Sequence, residues 1–329
     1  MGKERILRIL EIFRKTDESH ALTISEIIDK LRLYGIEAER KAISRDIQTL
    51  SDGGYTIISA GKREGYYLSE GLFEDYELMM LFSAITRAKF ITAKDSRAVL
   101  KKLSSITPFG MEKLLKEMEL GDSLKTTNVG AKYAIDGIIR AIKDDRKLRF
   151  QYFEYAGDGK KILRRDGHVY NVSPFYLAWV RDELFMIANP TSHQWLTHFN
   201  VAKMTKVEVS DEPRKARSEI EELTEKFNLG EYIKESMNMY TGEAIDVTIR
   251  CHKDLLFDVE MAFGSDIWPR KSDGDWVSVT VRAKDNQGLY RWLLQYGDKI
   301  EVVSPSHIRA EVKAALVAAI DIYNEETHV

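Results

Sequence analysis

The N-terminal part of the chain repeats apolar residues every third or fourth position. "ERILRILEIF" puts Ile6, Ile9, Leu10 and Phe13 on one side and Arg5, Arg8 and Glu11 off it, which is the period of an amphipathic helix. "TISEIIDKL" opens with Thr23 and Glu26 at capping-box spacing, and Ile27, Ile28 and Leu31 form its apolar side. A turn at Tyr34-Gly35 leads to a third helix expected from Arg40 to Asp52, with Ile43, Ile47 and Leu50 turned inward. After Gly53-Gly54 the period shortens: "YTIIS" and "YYLS" read as strands around the turn "AGKREG". Three short helices and a hairpin in this order predict a winged helix-turn-helix over residues 1–70.

The polar side of the third helix carries the first candidate chemistry. Lys41, Ser44, Arg45 and Gln48 lie opposite Ile43, with Arg40 one residue before them. Cations, a hydroxyl and an amide are the groups that bond phosphates and base edges in a major groove. Asp46 falls on the flank, where it serves either Arg45 or a neighbouring helix. Lys62 and Arg63 occupy the wing tip, where they would meet phosphate or the minor groove.

Residues 71–130 read as a helical connector, suited to dimerisation, which ends at the polar, Gly-bounded break "GDSLKTTNVG". A helix "YAIDGIIRAIKDD" then precedes five strand-like runs: "KLRFQYFEY", "HVYNVSPFYLAWV", "ELFMIAN", "QWLTHFN" and "KVEV". Short β-branched and aromatic strands at this spacing predict a small barrel over residues 131–212. Residues 213–240, with "RSEIEELTEKFN", read as a charged linker helix. Residues 241–329 alternate as strand, helix, strand ("DIWPR"), strand, helix, strand and closing helix, the ferredoxin-like order, with Asp273-Gly274 at the hairpin turn. The fold class expected is a multidomain α+β protein.

Charge refines this picture. The net charge is −3, and residues 1–70 hold 12 Lys/Arg against 12 Asp/Glu, so any nucleic-acid contact depends on placement rather than on excess. Residues 143–165 are locally basic, with eight Lys/Arg to four Asp/Glu, interleaved with Tyr152 and Tyr155. Two readings of that stretch stand: strands that hold single-stranded nucleic acid, and a hairpin with a solvated charged tip. The single Cys251 excludes an internal disulfide and a multi-Cys zinc site, and it reads as a small buried residue. His168, His193 and His198 lack the spacing of a compact metal site. No signal-peptide or membrane-span pattern is present, which together with the cysteine count favours a cytoplasmic home. Neither a Ser/His/Asp arrangement nor a phosphate-cradling glycine loop appears, so no enzyme and no cofactor is expected.

The stretch "RKAISRDIQTL…GGYTI" resembles the DeoR-like winged helices of bacterial transcription factors that carry a WYL domain. Arg40, Lys41, Ala42, Ile43, Arg45, Asp46, Ile47, Leu50 and Tyr55 fill that pattern, with Ala42 in place of Thr and Glu39 where Ser is common. "YNVSPFYLAWVRDELFMIA" followed by "THFNVAKM" resembles the WYL domain, an Sm-like β-barrel. Its name-giving tripeptide is here Leu184-Phe185-Met186. "LYRWLLQYG…IEVVSP…IRAEV" resembles the C-terminal WCX extension, a module tied in the family to dimer assembly.

The resemblance implies a ligand-responsive regulator: a winged helix on operator DNA, a homodimer, and a barrel sensing an effector of nucleotide or single-stranded nucleic-acid type. Its ligand residues would include the tripeptide aromatic Phe185 and the later basic stretch, where Asn200, Ala202 and Lys203 replace the family's arginine, acid and arginine. An asparagine and a lysine do not reproduce a bidentate arginine clamp. The full candidate set is Tyr152, Arg165, Tyr170, Phe185, His198, Asn200 and Lys203. Strand alternation argues against all seven sharing one side. A different reading is also open: an accessory regulator of a defence complex in which the barrel, not the winged helix, binds the polynucleotide.

Overall fold

The computed structural model describes residues 2–61, 64–69, 72–117, 124–264, 267 and 271–324. The chain divides into two compact units, Met1–Val129 and Gly130–Val329.

In the first unit, α1 (Gly2–Phe13), α2 (Ile24–Arg32) and α3 (Arg40–Asp52) are followed by the hairpin β1 (Ile57–Gly61) and β2 (Gly65–Leu68). The inward stripes of the three helices meet: Ile9, Phe13, Ile27, Leu31 and Ile43 are fully buried. The capping box forms at α2, with Thr23 accepting from the Glu26 amide and Glu26 from that of Thr23. The hairpin is fixed to the loop before α2 by a pair of backbone bonds between Leu22 and Tyr66, of 2.9 and 2.8 Å. Gly65 permits this approach: its φ is +99°, and a Cβ there would lie 2.3 Å from the Leu22 backbone. Lys62 and Arg63 lie outside the described residues. The connector comprises α4 (Asp75–Arg87), α5 (Ala93–Ser104) and α6 (Phe109–Glu117), which bury Phe82, Leu100 and Leu115 together.

The second unit begins with α7 (Ala131–Lys143), whose buried Ala134, Ile138 and Ala141 face a curled antiparallel sheet. Its strands are β3 (Arg146–Tyr155), β4 (Lys161–Leu163), β5 (Tyr170–Val180), β6 (Glu183–Pro190), β7 (Thr197–Asn200) and β8 (Met204–Pro213). The order is β4-β3-β5-β6-β7, with β8 on β3. Along β3, residues 148–150 pair with β5 and 153–155 with β4, while irregular register against β8 bends the strand. Two strands differ from expectation. The short β4 lies where the sequence predicts a charged turn, and β8 runs ten residues to Pro213 rather than stopping after "KVEV".

The stretch 217–228 is not the expected linker helix. It is a 3₁₀ turn at Arg217–Glu219 and further turns, and α8 (Leu229–Glu235) starts only after Asn228, whose side chain accepts from the Glu231 amide. Tertiary packing overrides its helical composition: Ile220 and Leu223 insert between Phe175, Ala178, Ile187 and Leu196 of the sheet.

The rest of the unit is β9 (Ala244–His252), α9 (Leu256–Phe263), β10 (Lys271–Asp273), β11 (Trp276–Lys284), α10 (Gln287–Leu294), β12 (Ile300–Ser304) and α11 (Ser306–Asn324). The sheet order β10-β11-β9-β12 places the first strand centrally, as the βαββαβ plan requires. The run "DIWPR", expected as a strand, lies outside the described residues apart from Ile267. Trp292 stacks edge-on against Phe263 in the core, and Cys251 is fully buried, which pushes its thiol up from the ordinary value.

Candidate functional site

The outward side of α3 is built by what lies beneath it. Ile43, Ile47 and Leu50 anchor the helix, and Asp46, 5% exposed, receives the Arg5 guanidinium of α1 through two bonds of 2.5 and 3.2 Å. Asp46 thus serves the neighbouring helix, not Arg45. That leaves Arg40, Lys41, Ser44, Arg45 and Gln48 all exposed. Their contacts are local: Ser44 donates to the Arg40 carbonyl, Arg45 to that of Lys41, and Gln48 to the Asp52 carboxylate. Among the described residues neither Arg40 nor Lys41 has an ion-pair partner. Glu39 precedes the helix without a side-chain cap bond.

The second site is a groove of about 640 Å³ at one end of the curled sheet, between the β4–β5 loop and the β6–β7 loop. Arg164, Arg165, His168 and Tyr170 line one side; Thr191, His193, Trp195 and Thr197 line the other. The approach to β5 is tight: Arg165, Asp166 and Gly167 all have positive φ, at 51, 54 and 82°. Two consecutive non-glycine residues in the left-handed region are sparsely populated and cluster at functional loops. His193 lies flat on Trp195, with ring centroids 4.3 Å apart.

Several buried polar atoms around this groove have no hydrogen-bond partner among the described residues: the Tyr170 hydroxyl, Asn171 Oδ1 and His193 Nδ1, with Gln151 Oε1 behind them. The Arg165 guanidinium likewise has no ion-pair or hydrogen-bond partner among the described residues. Buried polar groups are normally satisfied, and each exception calls for a reason. The arrangement offers a guanidinium, hydrogen-bonding groups and a flat aromatic face to a ligand.

Of the seven residues expected to bind a ligand, the groove gathers Arg165 and Tyr170. Tyr152 stands behind them, edge-on to Tyr170, with its hydroxyl accepting from the Asn200 amide; burial pushes it up to about 12. The other four do not reach it. Asn200 is buried and its side chain is engaged internally, donating to Glu183 and accepting from the Ala202 N–H. Phe185 packs on the cluster formed with Ile220 and Leu223. His198 hydrogen-bonds the Met239 carbonyl (2.7 Å) and the Tyr232 hydroxyl (2.9 Å), and burial holds it down to about 4, neutral with the proton on Nδ1. Lys203 lies in the 3₁₀ turn Val201–Lys203, partly exposed. Thr191 lies outside the strand-like runs, Trp195 falls in the run "QWLTHFN" with nothing to single it out, and His168 and His193 invite only the question of a metal. Asn189-Pro190, a turn signal between two strands, is the clue in the sequence that points to this wall. Among the described residues no three His, Cys, Asp or Glu side chains gather as a metal site would need, and no helix is long and apolar enough to cross a membrane.

Residues 134–209, the segment that builds the curled sheet and its groove, match the WYL domain family, and residues 243–320 match the WCX domain family. The chain carries a WYL domain and a WCX domain. Its WYL domain thus begins in α7 and ends within β8, and its WCX domain spans the four-stranded sheet and most of α11. No curated protein matches the chain. Among solved structures it is similar to proteasome accessory factor B/C of Arthrobacter aurescens, at 16% identity and a TM-score of 0.28, over 98% of this chain and 49% of that one. This WYL-domain protein thus spans about half the length of that relative. It is also similar to a protein described as CRISPR Cas-related, at 12% identity and a TM-score of 0.40, over 79% of this chain and 76% of that one.

Proposed function

We propose that this WYL-domain protein is a non-enzymatic, ligand-responsive regulator that binds duplex DNA through residues 1–70. In this reading α1–α3 and the hairpin are a winged helix-turn-helix, and α3 enters the major groove. The carrying observation is the composition of α3: a buried stripe of Ile43, Ile47 and Leu50 opposite a solvated row of Arg40, Lys41, Ser44, Arg45 and Gln48. The curled sheet is the small barrel of an effector sensor, and the effector, a nucleotide or a single strand, binds between Arg165 and Trp195. Two copies read two half-sites, and the effector acts by favouring one arrangement of them. A cytoplasmic location accords with this role.

The partly basic, aromatic groove favours one second reading, that of an accessory nucleic-acid-binding regulator whose WYL domain holds a single strand. Titration of duplex and single-stranded DNA with Arg45→Ala and Arg165→Ala separates the two. The regulator reading expects Arg45→Ala to weaken duplex binding while Arg165→Ala spares it. Polynucleotide binding that ignores Arg45 and needs Arg165 would establish the second reading. A genomic footprint then supplies the operator and half-site spacing.

A further inference from the structure

The groove wall formed by residues 190–197 is held by more than its own sheet. Asn189 donates Nδ2 to the carbonyls of His193 (3.0 Å) and Trp195 (2.9 Å), and Lys215 Nζ donates to Asn189 Oδ1 (2.8 Å). One Glu222 oxygen accepts the Leu196 backbone N–H, where the wall runs into β7. Lys215 and Glu222 both belong to the segment that joins the WYL and WCX domains.

The other Glu222 oxygen lies 3.8 Å from Nζ of Lys284, at the end of β11 in the WCX domain. Lys284 is 4% exposed, and its ammonium sits 3.7 Å over the Tyr232 ring without a hydrogen-bond partner among the described residues. Tyr232 in turn donates its hydroxyl to His198, one residue past Thr197 of the groove. Two chains of contact therefore run from the groove to the same lysine, one through Glu222 and one through His198 and Tyr232.

A buried ammonium with one carboxylate just beyond hydrogen-bond reach is sensitive to small displacements. A shift of under an ångström makes or loses a charged hydrogen bond, a bond roughly twice as strong as one between neutral groups. We infer that Glu222 is a positioning residue for the groove: it holds the 190–197 wall at Leu196 and couples the position of that wall to the WCX domain through Lys284. This inference rests on the groove being a ligand site.

A double-mutant cycle on the full-length protein tests it, with fluorescein-labelled oligothymidylate and a fluorescent adenine nucleotide as the two probes. Glu222→Gln keeps an acceptor for Leu196 but removes the charge facing Lys284, and Lys284→Met keeps similar volume without charge. Each single variant is expected to change probe affinity about tenfold, and the double variant no more than either alone. Unchanged affinity, or single effects that simply add, overturns the coupling. Arg165→Ala tests the groove separately: if the native chain binds neither probe, or Arg165→Ala leaves binding intact, the groove reading fails instead. Hydrogen exchange then decides the Glu222 role without a ligand. Faster exchange at Leu196 in Lys284→Met, with β6 otherwise unchanged, supports it, and unaltered protection of Leu196 overturns it. If Lys284→Met does not fold, the same exchange measurement on Glu222→Gln decides.

Discussion

The α3 surface and the WYL groove are built on opposite designs. The first is a convex row of solvated donors whose side chains make few contacts with one another. It suits a polyanion, where counterion release supplies affinity and few contacts discriminate. The second is concave, and its unmatched polar atoms are already withdrawn from solvent. A site of that kind selects, because a ligand that fails to complement those atoms leaves the cost unrelieved. The contrast teaches that charge count alone misleads here: net charge in the first seventy residues is zero, yet placement makes one face cationic.

The contrast breaks most visibly with pH. His198 beside the groove is held down to about 4, against an ordinary 6.5, by burial. Its folded value lies below its unfolded value, so its contribution is full above about pH 6.5 and is lost as pH falls towards 4. Unfolding free energy of the second unit should drop by about 3 kcal/mol across that window. Urea titrations of native protein and His198→Gln check this, with the variant showing the flatter slope. In the first unit, Asp46→Ala should cost about 2–3 kcal/mol, because Arg5 is left partly buried without its partner. Calorimetry would detect that loss, and duplex affinity should fall with it as α3 loosens. Arg45→Ala should weaken duplex binding by roughly 1–3 kcal/mol without lowering the melting temperature. An equal loss in Arg165→Ala would erase the division of labour between the two surfaces. Thr23→Ala, which removes the α2 cap, should cost about 1 kcal/mol of stability.

Helical regions are easier to read than the groove, for a physical reason. A 3.6-residue period states which side of α3 is inward and which is outward, so Ile43 and Arg45 declare themselves from spacing alone. Asp46 keeps two options open in the sequence because its partner, Arg5, lies on another helix. In the curled sheet, alternation assigns each strand two faces but does not say which loops converge. Phe185, His198 and Asn200 sit on strands that do reach the sheet core, yet their side chains end against Ile220, Tyr232 and Glu183. Ile220 comes from a segment whose charged composition suggests a helix. Its two buried residues, Ile220 and Leu223, are three apart, which a single turn satisfies as well as a helix does.

The unmatched Tyr170 hydroxyl and Asn171 oxygen also set a practical handle. A polar atom sequestered without a mate is a penalty the fold carries at every temperature, and it is relieved by whichever small molecule brings the missing proton or lone pair. Compounds that do so should lift the melting point out of proportion to their mass, and a thermal-shift screen would rank them.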